Sequence, residues 1–294
     1  MNKNKIAVLC IAHIVDNNFK LLIEVLTKDF DVFVHFDKKN EESYSNEISK
    51  IEQAYKNKVF FIKNNVVVFW GGFSQIQAEL ALLRASINSS QKYSHFLLIS
   101  GADFPIKSNQ YIYRFLKQNQ NQSFIQFNKL PTSAWGMNGG LDRYQRFWLT
   151  DFKNRQHTRI IGRLTVNFQK ILRIKRKNYF KEYYGGANWA NLSYDAATYI
   201  FELIDSDEQV LKSFKWTRAC DEVWKQTILN SSSQNALVND SLRYVDWSGK
   251  YPPKVLDSFD YDKLMASNAL FARKMNGNDL TLQKKLLESF ENEQ

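Results

Sequence analysis

The stretch HFLLISGADFPIKSN, His95 to Asn109, decides the fold. HFLLIS is a compact apolar run of the length and composition of a buried strand. GADFP follows, and holds one carboxylate, Asp103, between a glycine and a proline. Loops leaving the carboxyl ends of strands are where α/β sheets bind ligands. Asp103 therefore has three readings: half of a metal site, a general base, or a residue that shapes the turn.

Upstream, strand-like and helix-like runs alternate. KIAVLCIAH is apolar and β-branched, NNFKLLIEVLTKD has helical spacing with Asn17 or Asn18 as a cap, and FDVFVHFD returns to strand. YSNEISKIEQAYKN, VFFIK and SQIQAELALLRASINSS read as helix, strand and helix. The order βαβαβαβ predicts an α/β fold with a mostly parallel sheet and helices on both faces. Downstream the pattern is less regular: SFIQF, GANWANLS and LRYVDW read as strands, YDAATYIFELIDSD and DEVWKQTILNSS as helices. Only four prolines and eleven glycines occur in 294 residues, and no segment rich in them marks a linker, so one domain over 1–294 is expected.

Two cysteines, Cys10 and Cys220, form neither a disulfide framework nor a CxxC pair, which suits a reducing compartment. The apolar N-terminal run is interrupted by His13 and Asp16 and reads as a first strand rather than a signal peptide. No apolar run approaches the roughly 20 residues of a membrane span. A formal charge of +10 is concentrated in the segment from Lys153 to Tyr184. There Ile160, Ile161, Leu164, Phe168, Ile171 and Leu172 recur at helical spacing among arginines and lysines, the pattern of a basic amphipathic helix. Such a helix either packs on the core with a solvated face or, over residues 153–182, lies against an anionic membrane surface. Nothing resembles a nucleic-acid-binding motif, and no nucleic acid partner is expected.

The chemistry is bounded first by absences in the sequence. CIAHIVDNN after the first strand contains neither GxGxxG nor GxxxxGK[ST], and HExxH, GxSxG and zinc-spaced clusters are missing. A sugar-nucleotide transferase commonly holds its donor diphosphate through an Asp-x-Asp pair and a divalent ion. Here the strand ends offer only Asp103, and Asp37 followed by Lys38 and Lys39. If a diphosphate leaves, lysine or arginine must neutralise it. In WTRACDEVWKQTILNSS, Asp221 is placed to cap a helix while Glu222 faces a cleft between Trp216 and Trp224. A capping residue with a surface glutamate, or a general base, both fit that pattern.

Taken together, IAVLCIAH, VFVHFDKK, WGGFSQIQAEL, HFLLISGADFPIKSN, GGANWANLSYDAATYI, ACDEVWKQTILNSS, LRYVDWSGKYPPKVL and SNALFARKM resemble, in order, the core-2/I-branching N-acetylglucosaminyltransferase and peptide O-xylosyltransferase family, in a short form. The resemblance implies a GT-A-like fold and an inverting, metal-independent transfer from a UDP-sugar, with a β-linked product. By the same resemblance Glu222 is the catalytic base, and Arg243 and Lys274 replace the metal at the diphosphate. Ile11, Ala12, His13, Asp37, Lys38, Lys39, Gly101 and Asp103 lie on the nucleotide side, in a donor half spanning 1–130. Trp189 lines the sugar site, and Arg143, Tyr144 and Arg146 are acceptor-side candidates in the half spanning 131–294. No metal or other cofactor is expected. The sugar could be N-acetylglucosamine, xylose or glucose, and the acceptor a glycan or lipid-linked glycan. The composition suits a cytoplasmic bacterial enzyme of surface polysaccharide or lipooligosaccharide synthesis, peripheral at the inner face of the membrane. A metal-dependent transferase and a catalytically silent carbohydrate- or membrane-binding relative are the alternatives.

Overall fold

Alternation along the first strand sets up both cores. In the computed structural model, which describes residues 5–151, 155–233, 236–249 and 252–291, β1 (Lys5–Ala12) sends Ile6, Val8 and Cys10 to one core and Ala7 and Leu9 to the other. Lys153, at the head of the basic segment, lies outside the described residues. The chain continues through α1 (Asn17–Leu26), β2 (Asp31–Phe36), α2 (Ser45–Ala54), β3 (Val59–Phe61), α3 (Phe73–Ile87) and β4 (Tyr93–Ser100), as the periodicity predicts. These four strands are mutually parallel in the order β4-β1-β2-β3.

HFLLIS is the body of β4, but GADFP is more than a loop. Asp103–Pro105 is a short strand, β5, followed by α4 (Asn109–Gln118), which Ser108 caps by accepting a hydrogen bond from Tyr111 N. Next come β6 (Ser123–Ile125), β7 (Asn128–Lys129), α5 (Leu141–Gln145), α6 (Arg155–Ile171), β8 (Tyr184–Gly185) and β9 (Ala190–Ser193). The chain ends through α7 (Tyr194–Ser206), α8 (Glu208–Lys212), α9 (Trp224–Asn230), β10 (Leu237–Val238), β11 (Arg243–Val245), α10 (Tyr261–Met265), β12 (Phe271–Arg273) and α11 (Thr281–Glu291).

The central sheet runs β10-β6-β9-β4-β1-β2-β3, with β9 antiparallel to both neighbours. A second sheet, β11-β12-β5, pairs Asp103 with Arg273 and Arg243 with Phe271. On one face of the central sheet α1, α2, α4 and α11 cover Val8, Val32, Val34 and Leu97; on the other α3, α7 and α9 cover Leu9, Phe33 and Leu98. Gly101 stands where β4 turns away, and it is glycine for want of room: a Cβ there would lie 3.1 Å from the Phe19 ring and 3.3 Å from Ala12 Cβ.

Helices α3 and α9 are fastened by a buried ion pair. Lys225 Nζ donates to Glu79 Oε2 at 2.6 Å, and Trp224 Nε1 donates to the same oxygen at 3.2 Å. Burial pushes the Glu79 carboxyl up, while Lys225 pulls it back toward ionisation. Removing one partner of such a pair strands the other charge in the core. Lys225→Met should therefore lower stability by about 3–5 kcal/mol, and adding Glu79→Leu should recover much of the loss, read as denaturant midpoints of the single and double variants.

Candidate active site

Strand ends gather the residues predicted for the nucleotide side. Gly101 N donates to Ile11 O at 3.0 Å and Asp37 N to Ala12 O at 2.8 Å, so β1, β2 and β4 end side by side. His13 and Lys38 are exposed there. Asn40 Nδ2 donates to His13 O at 2.7 Å and fixes the loop after β1. Asp37 is buried and organises the next loop: its Oδ1 accepts from Lys39 N at 3.0 Å and Val68 N at 3.3 Å. Lys39 Nζ lies 3.2 Å from Asp37 Oδ2 and donates to Val68 O at 2.6 Å.

Asp103 is fully enclosed and its oxygens are committed. Oδ1 accepts from Ser100 Oγ at 2.7 Å and Oδ2 from Ser100 N at 3.1 Å. Arg243 Nη1 stands 3.3 Å from Oδ2 and Arg273 Nε 3.5 Å from Oδ1. Two guanidinium groups thus meet one carboxylate, leaving the cluster one positive charge in excess. Burial pulls Arg243 down to about 10, against the opposing pull of Asp103, so it keeps its proton at neutral pH.

The diphosphate-side pair predicted from the sequence is Arg243 with Lys274. The structure encloses the Arg243 side chain completely, its Nη2 donating to Leu98 O at 3.0 Å. Arg273 is the partly exposed guanidinium of the cluster, lying 4.0 Å from the centre of the Trp189 ring. It sits inside the quoted LFARKM, and its position opposite Asp103 becomes visible only with the strand register. Lys274 follows at the end of β12, held to the GADFP turn because Met275 N donates to Ala102 O at 2.9 Å.

Glu222 sits on a tight helical turn, Cys220–Glu222, reached through Ala219 in the left-handed region at φ 47°. Ala219 N donates to Gly71 O and Gly186 N to Glu222 O, both at 2.9 Å, so the turn is pinned to WGGFS on one side and GGANW on the other. Glu222 is partly exposed, and its Oε2 accepts from Arg143 Nη1 at 2.5 Å. The Arg143 guanidinium stacks 3.7 Å over Trp135. Of the acceptor-side candidates, Arg143 alone reaches Glu222. Tyr144 is buried in a stack on Tyr183 at 4.0 Å, and Arg146 is buried against the carbonyls of Gln169 and Ile174, where it braces α6.

Against the pattern read from the sequence, Asp221 caps no helix. The left-handed Ala219 swings the chain so that α9 begins only at Trp224, and Asp221 points inward. Its Oδ1 has no hydrogen-bond partner among the described residues. Trp224 is likewise in the core and engaged with Glu79, so the aromatic wall of the Glu222–Arg143 pair is Trp135, which sequence reasoning missed in a weakly patterned segment. Burial, helped by the charges of Glu222 and Glu79, raises Asp221 to about 8, and its neutral form at pH 7 adds no like charge beside Glu222.

This mostly parallel sheet with helices on both faces is a GT-A-like glycosyltransferase fold. The family model for the core-2/I-branching enzyme matches residues 18–266, and the chain belongs to that family. Rat xylosyltransferase 2 is 24% identical over 79% of this chain and 25% of its own length. Human beta-1,3-galactosyl-O-glycosyl-glycoprotein beta-1,6-N-acetylglucosaminyltransferase 3 is 31% identical over 43% of this chain and 29% of its own. The chain thus spans about a quarter of the length of the curated relatives it matches. Among solved structures, the 4-diphosphocytidyl-2C-methyl-D-erythritol synthase of Anaerococcus prevotii aligns over 70% of this chain and 85% of its own at 13% identity and a TM-score of 0.30, too slight a likeness to bear on function.

Asp221 also predicts a pH dependence. Its carboxyl is raised from 3.8 to about 8, so the native state binds this proton more tightly than the unfolded chain does. The stabilisation is fully present below about pH 4 and is lost as pH rises toward 8. Asp221→Asn should flatten the fall in stability across that window, measured as denaturant midpoints over a pH series.

Proposed function

We propose that this chain is an inverting glycosyltransferase that moves a sugar from a UDP-sugar to a hydroxyl of a glycan without a metal ion. The observation that carries this reading is the segment 186–189. Its first residue, Gly186, is bonded to the backbone of Glu222, and its last, Trp189, covers Arg273 and the buried Arg243. A base and a cationic strand end are thereby tied together through four residues.

In the proposed reaction Glu222 takes the proton of the acceptor hydroxyl as its oxygen attacks the anomeric carbon from the face opposite UDP. The bond from that carbon to the diphosphate oxygen breaks, and its electron pair leaves with UDP. Inversion of an α-linked donor gives a β-linked product. Arg273 and Lys274 receive the charge that grows on the diphosphate, and behind them Asp103, itself paired with Arg243, holds Arg273 in place. The pairing of Asp103 with two arginines supports metal independence, because a carboxylate so committed is a poor cation ligand. Residues 1–130 supply most of the nucleotide side and 131–294 the base, the acceptor contacts and the diphosphate cations.

Xylosyl and N-acetylglucosaminyl donors are the first to test, since the named relatives transfer those sugars, with glucose third. The acceptor is proposed to be a glycan or lipid-linked glycan in bacterial surface polysaccharide or lipooligosaccharide synthesis, made at the cytoplasmic face of the cell membrane. Among the described residues no helix is long and apolar enough to cross a membrane.

Loss of a general base typically costs ~10²–10⁴-fold in rate. Glu222→Gln should keep UDP affinity in calorimetry and lose turnover by that factor, and turnover within twofold of the parent would remove Glu222 from the role. Arg143→Ala should lower turnover while leaving UDP affinity in calorimetry unchanged, because the hydrogen bond that positions the Glu222 carboxylate is lost.

A further inference from the structure

Helix α6 has two opposed faces, and among the described residues only one of them packs against the protein. Gly162, Val166 and Gln169 point inward: a Cβ at Gly162 would meet the Trp148 ring at 3.2 Å, and the Gln169 side chain bonds the backbone of Phe147 in both directions at 2.9 Å. The helical path runs one residue further, as Leu172 N donates to Phe168 O at 3.0 Å. Ile160, Ile161, Leu164, Phe168, Ile171 and Leu172 fall within roughly a third of the helix circumference on the far side. They are 48–78% exposed. A helix packed only on its own core does not carry six large apolar side chains in one solvent-facing stripe.

The charges around the stripe identify what covers it. Residues 160–181 contain seven lysines or arginines and no aspartate or glutamate. Arg163, Arg173, Lys175 and Lys177 are exposed at the flank and end of the stripe, and Ile174 and Tyr179 extend the apolar surface between them. Arg176 points inward and fastens the segment, donating Nη1 to Thr217 Oγ1 at 3.0 Å. Two carboxylates stand at the edges of this surface, Asp142 paired with Lys170 and Asp207 accepting from the Tyr179 hydroxyl, and cations outnumber them. An apolar stripe with such a border is complementary to a bilayer with anionic headgroups: the apolar side chains enter the acyl boundary while the ammonium and guanidinium groups stay among the phosphates.

We propose that this face of α6 and the turn after it dock the protein onto an anionic lipid surface. The docking helix is coupled to the site through a short rigid path. Arg146, on the residue after α5, donates to the carbonyls of Gln169 and Ile174, and Arg176 N donates to Gln145 O at 2.9 Å. Helix α5 also carries Arg143, the partner of Glu222. Docking would thus present Glu222 to an acceptor anchored in the same leaflet. That consequence rests on the transferase reading, whereas docking itself does not.

The test is cosedimentation of the full chain with vesicles of phosphatidylglycerol and phosphatidylcholine, against vesicles of phosphatidylcholine alone, with no donor or acceptor present. Binding should require the anionic lipid and weaken with added salt. Leu164→Ser/Phe168→Ser/Ile171→Ser should reduce it tenfold or more, and Lys175→Glu/Lys177→Glu should reduce it while leaving the apolar stripe intact. Transfer to a soluble acceptor should be unchanged in both variants. Equal binding to both vesicle types, or retention of binding by the triple variant, would overturn the proposal. So would a dimer in light scattering that the triple variant converts to monomer, since a second copy would then cover the stripe. Vesicle binding by a protein that transfers no sugar would leave docking standing and refute the transferase reading alone.

Discussion

The pairing of Asp103 with Arg243 and Arg273 is the constraint on which the end of β4 and the small sheet depend. A carboxylate without solvent exposure must be matched by charge or hydrogen bonds, and Asp103 has both: Ser100 from its own turn, and two guanidinium groups from β11 and β12. The three strands of the small sheet are therefore joined to one another by ionic contacts as well as by backbone pairing, and to the end of β4 by the hydrogen bonds of Ser100 to Asp103 and of Arg243 to Leu98 O. The chemical consequence is one of sign. Asp103, at the start of β5, is neutralised by the two arginines, and the surplus positive charge lies where β12 ends with Arg273 and Lys274.

A second set of constraints holds Glu222. The turn that carries it is reached through a left-handed alanine, a conformation that costs roughly 1–2 kcal/mol and persists because Gly71 and Gly186 clamp the backbone on both sides. The Glu79–Lys225 pair, one helix turn further on, anchors the start of α9 to α3. Asp221, buried and neutral, lets a second carboxyl stand beside Glu222 without adding charge. Arg143, stacked on Trp135, is then the cation paired with the Glu222 carboxylate.

The central sheet is legible in the sequence because β1, β2 and β4 are apolar runs of six to eight residues separated by helices of clear period. LRYVDW announces β11, but β5 and β12 are three residues each, too short for a period to show, and the pairing of Asp103 with Arg273 exists only through their register. Helix α4 has a readable start in Ser108 and the spacing of Ile112 and Leu116, obscured by the loop character of the preceding GADFP. The inward turn of Asp221 follows from the Ala219 backbone, which no side-chain pattern announces. Tyr144 and Arg146 look like Arg143 in sequence; burial separates them. The amphipathic pattern of α6 is plain, but that its larger apolar stripe faces outward follows from Trp148 occupying the smaller face at Gly162.

In the proposed reaction arginine and lysine, not a divalent ion, receive the leaving diphosphate. Its most direct test is the initial rate of transfer from a UDP-sugar by metal-stripped protein in excess chelator, compared with the rate after adding back manganese or magnesium. Transfer through arginine and lysine should run at equal rates in all three conditions. A rate abolished by chelator and restored by manganese would contradict it and return Asp37 and Asp103 to consideration as metal ligands.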